Sequence, residues 1–367
     1  MIFRALADGA ERLSCPIVIR PRHTVMETPR PEQVPHEALR EVRAKWMEAL
    51  HGLYHRLETN FATAYALIDL LGVPFGITLA GRTLLPHRWR ALMDAVHHRL
   101  LPAVRTSLLV ENRGKDGSPH GDAAHAGARP GGGGTLGFSP EEQADIVEGQ
   151  LRMIGLTRDF ARLVVFCGHG STTSNNPYAS AYHCGACGGN RGGPNARAIA
   201  AMANNPAVRA LLSRRDMAIP EDTYVLGAEH DTAADRVTFF DPEDVPQTHR
   251  EEFQELTGDC HRAAAHHAQE RCQRLPGAPR NPGPEEALHH VRTRSIDWAQ
   301  VYPEWGHATC ATMLIGRREL TRGLPLDRRA YLQSYDPGQD PDGTILEEIM
   351  AAFIPVVRGI SLDYYFS

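Results

Sequence analysis

Four side chains in one short run carry the strongest chemistry in this sequence: Cys167 and His169 in FCGHGST, then Cys184 and Cys187 in HCGACGG. Thiolates and neutral imidazoles suit Zn2+, and a C-x-H…C-x-x-C set could close a tetrahedral site by itself. With three ligands, the same ion would keep a position for water. In an extended chain Cys167 and His169 fall on one side, because side chains alternate along a strand. Glycines around Cys184 and Cys187 allow a close backbone approach. The competing reading is a buried strand cysteine beside a core histidine held by a hydrogen bond. Thiol redox use of Cys184-Gly185-Ala186-Cys187 fits less well. A thioredoxin-like pair lies directly between strand and helix, whereas here GGNRGGP intervenes before the helix expected from Asn195.

Other groups surround this run. GGNRGGPN exposes backbone N–H groups ahead of a helix and could cradle an anion, with Arg191 and Arg197 as partners or as solvated surface residues. It lacks the Lys-Ser/Thr of a nucleotide-binding P-loop. His230-Asp231 reads either as a pair that orients a ligand or moves a proton, or as a strand-end turn. His97-His98, His266-His267 and His289-His290 sit in polar helical text and are expected in solvent.

The elements that must position these groups can be read from local pattern. Leu163–Phe166 is a short apolar run, consistent with a strand buried on both faces and delivering Cys167 and His169 at its end. Ser139-Pro140-Glu141-Glu142 is a helix start, with a capping hydroxyl, Pro in the first turn and acids at the positive end of the dipole. That helix buries Ile146, Val147, Leu151 and Ile154 and stops near Gly155. After the helix from Asn195, Asn204-Asn205-Pro206 interrupts, with Asn205 as cap of a new helix. Thr223–Phe240 is strand-like. Helix, strand, helix and strand in this order predict an α/β core. Upstream, CPIVIR at 15–20 reads as a short strand. Leu39, Val42, Trp46, Leu50, Leu53 and Leu57 define an amphipathic helix over 37–58, and helical pattern resumes over Trp89–Leu101. The resulting division is 1–110, a strand plus helical segment; 111–138, a flexible Gly/His-rich loop; 139–254, the α/β core with the zinc site; 255–295, a polar insertion; and 296–367, an aromatic and helical closing segment.

Composition sets outer limits. Hydrophobic residues make up 42% and charged residues 23%, an ordinary globular balance. A net charge of -5 gives no basic face for nucleic acid. Seven scattered cysteines argue against a disulfide framework and for a reducing compartment. Phe61–Gly81 has the length of a membrane span. Asp69, Pro74 and the glycines inside it favour a buried helix, a turn at Gly72-Val73-Pro74 and a short buried run, so no bilayer span is expected.

The block FCGHGSTTSNNPYASAYHCGACGG, followed by GGPNARAIA, IPEDTYVLGAEHDT, DWAQVYPEWG, IGRRELTRG and SYDPGQDPDGTILEEIM, resembles the DabA family of inorganic carbon transporter subunits over essentially the whole chain. The resemblance implies a β-carbonic-anhydrase-like core with added helical segments, truncated at both ends relative to the family. It also implies Zn2+ bound by two cysteines, an aspartate and a histidine. The family's histidine falls on His169 and its later cysteine on Cys184, which demotes Cys167 and Cys187 from ligands to neighbours. The other two ligands belong to a C-x-D-x-R motif that these residues do not contain. The expectation is therefore an internal fragment, a split gene product or a truncated reading frame.

As function, the resemblance implies part of an energy-coupled pump that hydrates CO2 to bicarbonate. The chain would sit peripherally on the cytoplasmic face of the inner membrane beside a DabB-like membrane subunit. Free enzyme activity from this chain alone is not expected. The alternatives are a zinc-stabilised binding domain using Cys167, His169, Cys184 and Cys187, or a non-functional remnant.

Overall fold

A computed structural model describes residues 23–101, 104–111, 135–177, 179–304, 306–307 and 309–366. The strand expected at 15–20 and most of the loop expected at 111–138 lie outside the described residues. β1 (His23–Thr24) and β2 (Met26–Pro29) lead into an arm of three helices, α1 (Val34–Thr59), α2 (Phe61–Leu84) and α3 (Pro86–Leu100). β3 (Thr106–Leu109) returns antiparallel to β2, with Met26 opposite Leu109, and β4 (Thr135–Leu136) runs parallel to β1.

The arm forms for local reasons. Asn60 breaks the chain between α1 and α2, and its side chain accepts the Ala62 N–H at 3.0 Å. The apolar stripe of α1 falls where periodicity places it, yet Leu39, Val42, Trp46, Leu50 and Leu53 stay exposed. For α2 the sequence reading is corrected. Phe61–Leu84 is one continuous helix, with no turn at Gly72-Val73-Pro74 and no burial of its apolar length. By length and composition Ala62–Leu84 could cross a membrane. Pro74 removes one backbone donor, yet the helix runs through it. α3 joins the arm to the rest through His87, which hydrogen-bonds Thr293 and stacks on His289 with ring centroids 4.9 Å apart.

α4 (Pro140–Ile154) starts as expected. The Ser139 hydroxyl accepts the Glu142 N–H and the Glu142 carboxylate accepts the Ser139 N–H, a reciprocal cap, while Gly155 ends the helix in the left-handed region at φ 74. β5 (Leu163–Gly170) is longer than the apolar run, because its ladder continues through Cys167 and His169. A short helix α5 (Ala179–Tyr182) and the Cys184 turn then lead to α6 (Gly193–Ala203). α7 (Pro206–Ser213) follows, its Asn205 cap accepting the Ala207 N–H at 3.0 Å. β6 (Tyr224–Asp231) lies parallel to β5, with His169 opposite His230, and β7 (Arg236–Phe239) folds back antiparallel. Val147, Leu151, Met202, Val208, Leu212 and Val225 form the shared core of α4, α6, α7 and the sheet. Each such side chain contributes roughly 1.5–3 kcal/mol by leaving water.

The polar text at 255–295 folds into α8 (Arg250–Cys272) and α9 (Pro284–Ile296), which pack as a pair. Their interface is built from Ala265, Ala268, Cys272, Ala287, Leu288 and Val291. Small residues at helical spacing suffice there, which is why composition concealed it. β8 (Thr312–Gly316) pairs in parallel with β9 (Ala330–Ser334). α10 (Thr344–Phe366) closes the chain, its start tied by the Asp340 carboxylate to the Ile345 and Leu346 N–H groups at 3.0 and 2.9 Å.

Candidate metal centre

β5 delivers His169 at the edge of the sheet, and the loop after it folds back to bring Cys184 alongside. The Gly192 N–H donates to the His169 carbonyl at 2.8 Å, and the Cys184 N–H donates to the Asn190 carbonyl at 3.0 Å. This crossing is tight. A Cβ on Gly168 would lie 2.3 Å from the Gly192 carbonyl carbon, so glycine is required there. A turn over Gly185–Cys187 follows Cys184, and α10 backs it: a Cβ on Gly185 would meet the Val356 side chain at 2.7 Å.

The electrostatics favour a thiolate at Cys184. A hydrogen bond from Cys187 pulls the Cys184 thiol down to about 6, against the cost of burial, with further help from His169 and the Cys187 and Ala186 N–H groups. Cys187 is buried and shifts the opposite way, raised first by its bond to Cys184 and then by burial, so it stays a thiol. The Asn195 side chain also donates to its sulfur at 3.1 Å. His169 Nε2 is buried with no hydrogen-bond partner. Its ring lies 5.3 Å from that of His307, whose Nδ1 is likewise buried and unpartnered. Burial first, then His169 and Arg328, lower His307 to about 4, so it is neutral at physiological pH.

An unpartnered imidazole nitrogen beside an incipient thiolate fits two positions of a zinc ion. The residues supply no more than that: among the described residues no three His, Cys, Asp or Glu side chains are grouped to hold a metal. Cys167 stands apart. It is exposed as a residue, and partial desolvation of its sulfur, with Cys260 and Glu229 nearby, raises its thiol. The four-ligand set expected from spacing is therefore not assembled.

Three further expectations are corrected. The anion expected at GGNRGGPN is the protein's own: Glu229 accepts Arg191 Nε at 2.8 Å and the Gly193 N–H at 3.2 Å. Arg197, read as an anion partner or a solvated surface group, is buried and forks onto the protein's own Asp241 at 2.7 and 2.6 Å. Nor are the paired histidines all solvated. His267 hydrogen-bonds Asp235 at 2.8 Å and His290 Nε2 is buried.

His230 and Asp231 do not act as a pair. His230 Nε2 meets Asp235 at 3.3 Å, whereas Asp231 accepts the Thr172 and Ala234 N–H groups at 2.9 and 3.2 Å. Sequence reasoning missed Asp235, Arg271 and Glu304 altogether. Arg271 bonds Asp235 at 2.7 Å and lies 3.4 Å from Glu304, all three deeply buried. Burial alone would raise the Asp235 carboxyl, but His230, His267 and Arg271 outweigh it and hold the group far below the usual carboxylate range. The available signal was weak: Asp235 and Arg271 are charged residues in plain text, and Glu304 lies in DWAQVYPEWG, a block singled out only for its resemblance.

A family model described as "Probable inorganic carbon transporter subunit DabA" matches residues 1–367. The chain belongs to the DabA family. Among its relatives, a protein of that description from Methylococcus capsulatus is 43% identical over 369 residues, covering 100% of this chain and 33% of the relative. A "Probable inorganic carbon transporter subunit DabA 2" from Sorangium cellulosum is 44% identical over 366 residues, covering 100% of this chain and 34% of the relative. A third DabA relative, from Dechloromonas aromatica, is 41% identical over 379 residues, covering 100% and 35%. The chain thus spans about a third of the length of the curated relatives it matches. No solved structure matches it. The DabA match extends over the His169 and Cys184 block, the arm and the Glu304 loop alike.

Proposed function

We propose that this DabA chain is part of an energy-coupled inorganic carbon pump, in which a zinc centre hydrates CO2 to bicarbonate in one direction. Family membership across residues 1–367 is the observation that carries the reading. His169 and Cys184 would supply two of four zinc ligands, on a core of β-carbonic-anhydrase type. A Cys-x-Asp-x-Arg segment would supply the other two. When bound, zinc supplies the Lewis acidity that makes hydroxide available near neutral pH. The chain's own residues hold the ligands in place. Cys187 and the backbone N–H groups of Ala186 and Cys187 stabilise the Cys184 thiolate, and the Gly192 bond to the His169 carbonyl fixes the strand end. The exposed apolar arm, α1 to α3, supports peripheral docking on a DabB-like membrane subunit at the cytoplasmic face.

The test is growth at ambient CO2 of a carbonic-anhydrase-deficient cell expressing the chain together with the Cys-x-Asp-x-Arg segment and the membrane partner. Rescue is expected, with loss on Cys184→Ala or His169→Ala and retention on Cys167→Ala. Rescue that survives Cys184→Ala would sink the zinc assignment, and failure of the intact assembly would sink the transport reading.

A further inference from the structure

Where the arm meets the rest of the protein, a cavity of about 560 Å³ opens between the end of α2, α3, the loop after β5 and the residues following α9. That is the size of a site for an organic ligand, not for a water or a bare ion. Part of its lining is charged or hydroxylic, from Arg82, Arg90, Asp94 and Ser174, and part is apolar, from Trp89, Met93, Val96 and Leu100. Arg90 is paired with Asp94 at 3.1 Å. Arg82 is exposed at the end of α2, with its guanidinium 5.0 Å from the centre of the Trp298 ring, a cation–π contact that orients it. Among the described residues no carboxylate pairs with Arg82. The walls are set by the protein's own contacts. Asn175 donates to the Trp298 carbonyl at 2.8 Å, and the Trp89 ring presses on α2, where a Cβ on Gly81 would lie 2.2 Å from a ring carbon.

Arg82 and Arg90 against Asp94 leave the lining with a single positive charge, which a monoanion matches. The surroundings say what kind. α2 runs up to the cavity with Leu70, Val73 and Leu84 exposed, and Ala62–Leu84 is long and apolar enough to cross a membrane. α3 sets Arg88, Arg90 and Arg99 against Asp94 alone and carries Trp89, Leu92, Met93 and Val96 in the same helix. Basic residues with Trp and aliphatic side chains on one amphipathic helix suit the headgroup level of an anionic bilayer. Trp89 and Trp298 beside Arg82, at the end of an apolar helix, fit the same depth. An apolar protein surface would cover α2 and leave Arg82 without a counter-charge, whereas a phosphodiester that carries an acyl chain meets both.

We propose that this cavity holds the headgroup of one anionic phospholipid of the bilayer, with its phosphodiester on Arg82 and an acyl chain along α2. The inference needs neither the zinc centre nor a carbon substrate. It gives the arm a lipid contact of its own beside a protein partner.

The test floats the purified chain with phosphatidylcholine vesicles and with vesicles in which phosphatidylglycerol replaces part of the phosphatidylcholine, at one ionic strength. Binding to the anionic vesicles is expected to be at least about tenfold tighter. Arg82→Ala should weaken it by at least about fivefold, with circular dichroism unchanged. Arg56→Ala, an equal loss of charge on α1 outside the cavity, should change it by less than about twofold. Met93→Glu sets a negative charge on the apolar lining and should act like Arg82→Ala, so the site stays testable if one variant fails to fold. Excess inorganic phosphate at matched ionic strength should not displace the vesicles. Equal binding to both vesicles, or binding to neither, overturns the site. So does an equal effect of Arg82→Ala and Arg56→Ala, which would mean diffuse surface charge. Displacement by inorganic phosphate overturns it in favour of a free anion. None of these readouts involves growth at ambient CO2, so the lipid site and the transport reading fail separately.

Discussion

In the arm of α1 to α3 large apolar side chains face outward, while in the α8 lobe charged ones face inward. Trp46 on α1 is 68% exposed, and Arg271 on α8 has a side chain only 1% exposed. The inward charges are largely completed by neighbours, because a buried ion survives only when paired and hydrogen-bonded. Asp235 gathers His230, His267 and Arg271 for that purpose. The outward apolar surface has no such completion among the described residues. One region is thus settled by its own contacts, and the other presents a face suited to a partner.

The largest effect should come from Asp235→Asn, which leaves Arg271 buried without its main counter-charge. Equilibrium urea unfolding should show a loss of about 3–5 kcal/mol. A loss under about 1 kcal/mol would mean the cluster is wetter than its burial implies. The same carboxylate sets an acid response. Its folded pKa is depressed, so its stabilisation is present above the unfolded value of about 3.9 and drains as pH falls toward the folded one. Between pH 4 and pH 2 the parent should therefore lose stability more steeply than Asp235→Asn. Parallel curves would remove Asp235 from the account.

Smaller effects sharpen the contrast. Asn205→Ala removes the α7 cap and should cost about 1 kcal/mol in the same unfolding experiment. On the arm, Leu70→Ala should change stability of the chain by no more than about 0.5 kcal/mol, since the residue is exposed on α2. A loss of about 2 kcal/mol or more there would show that the arm packs in solution and would erase the difference between the regions.

Legibility followed the range of the interaction. The Ser139 cap, the Gly155 stop, the Asn205 cap and the start of the strand at Leu163 rest on residues a few positions apart, and the sequence alone was enough to place them. α1 and α3 were legible as helices but not as exposed, because periodicity reports a stripe and not what covers it, and α2 was misread because Pro74 and its glycines suggested a turn that the continuous helix does not make. The α8–α9 pair escaped because alanines make its seam. The Arg191–Glu229 and Asp235–Arg271 pairs escaped because strand register and a helix packed behind the sheet bring distant residues together.

What the amino-acid order settled by itself is the family and the caps and stops that rest on neighbouring residues, and it offered His169 and Cys184 as candidate metal ligands. Tertiary structure decided which of their neighbours count. It set Cys167 apart, turned Cys187 into a donor that favours the Cys184 thiolate, and brought Arg82 and Trp298 onto one cavity. The reason is physical. Caps and periodicity act within a turn or two of chain, whereas burial and pairing of charge depend on groups that meet only after the sheet and helices have packed.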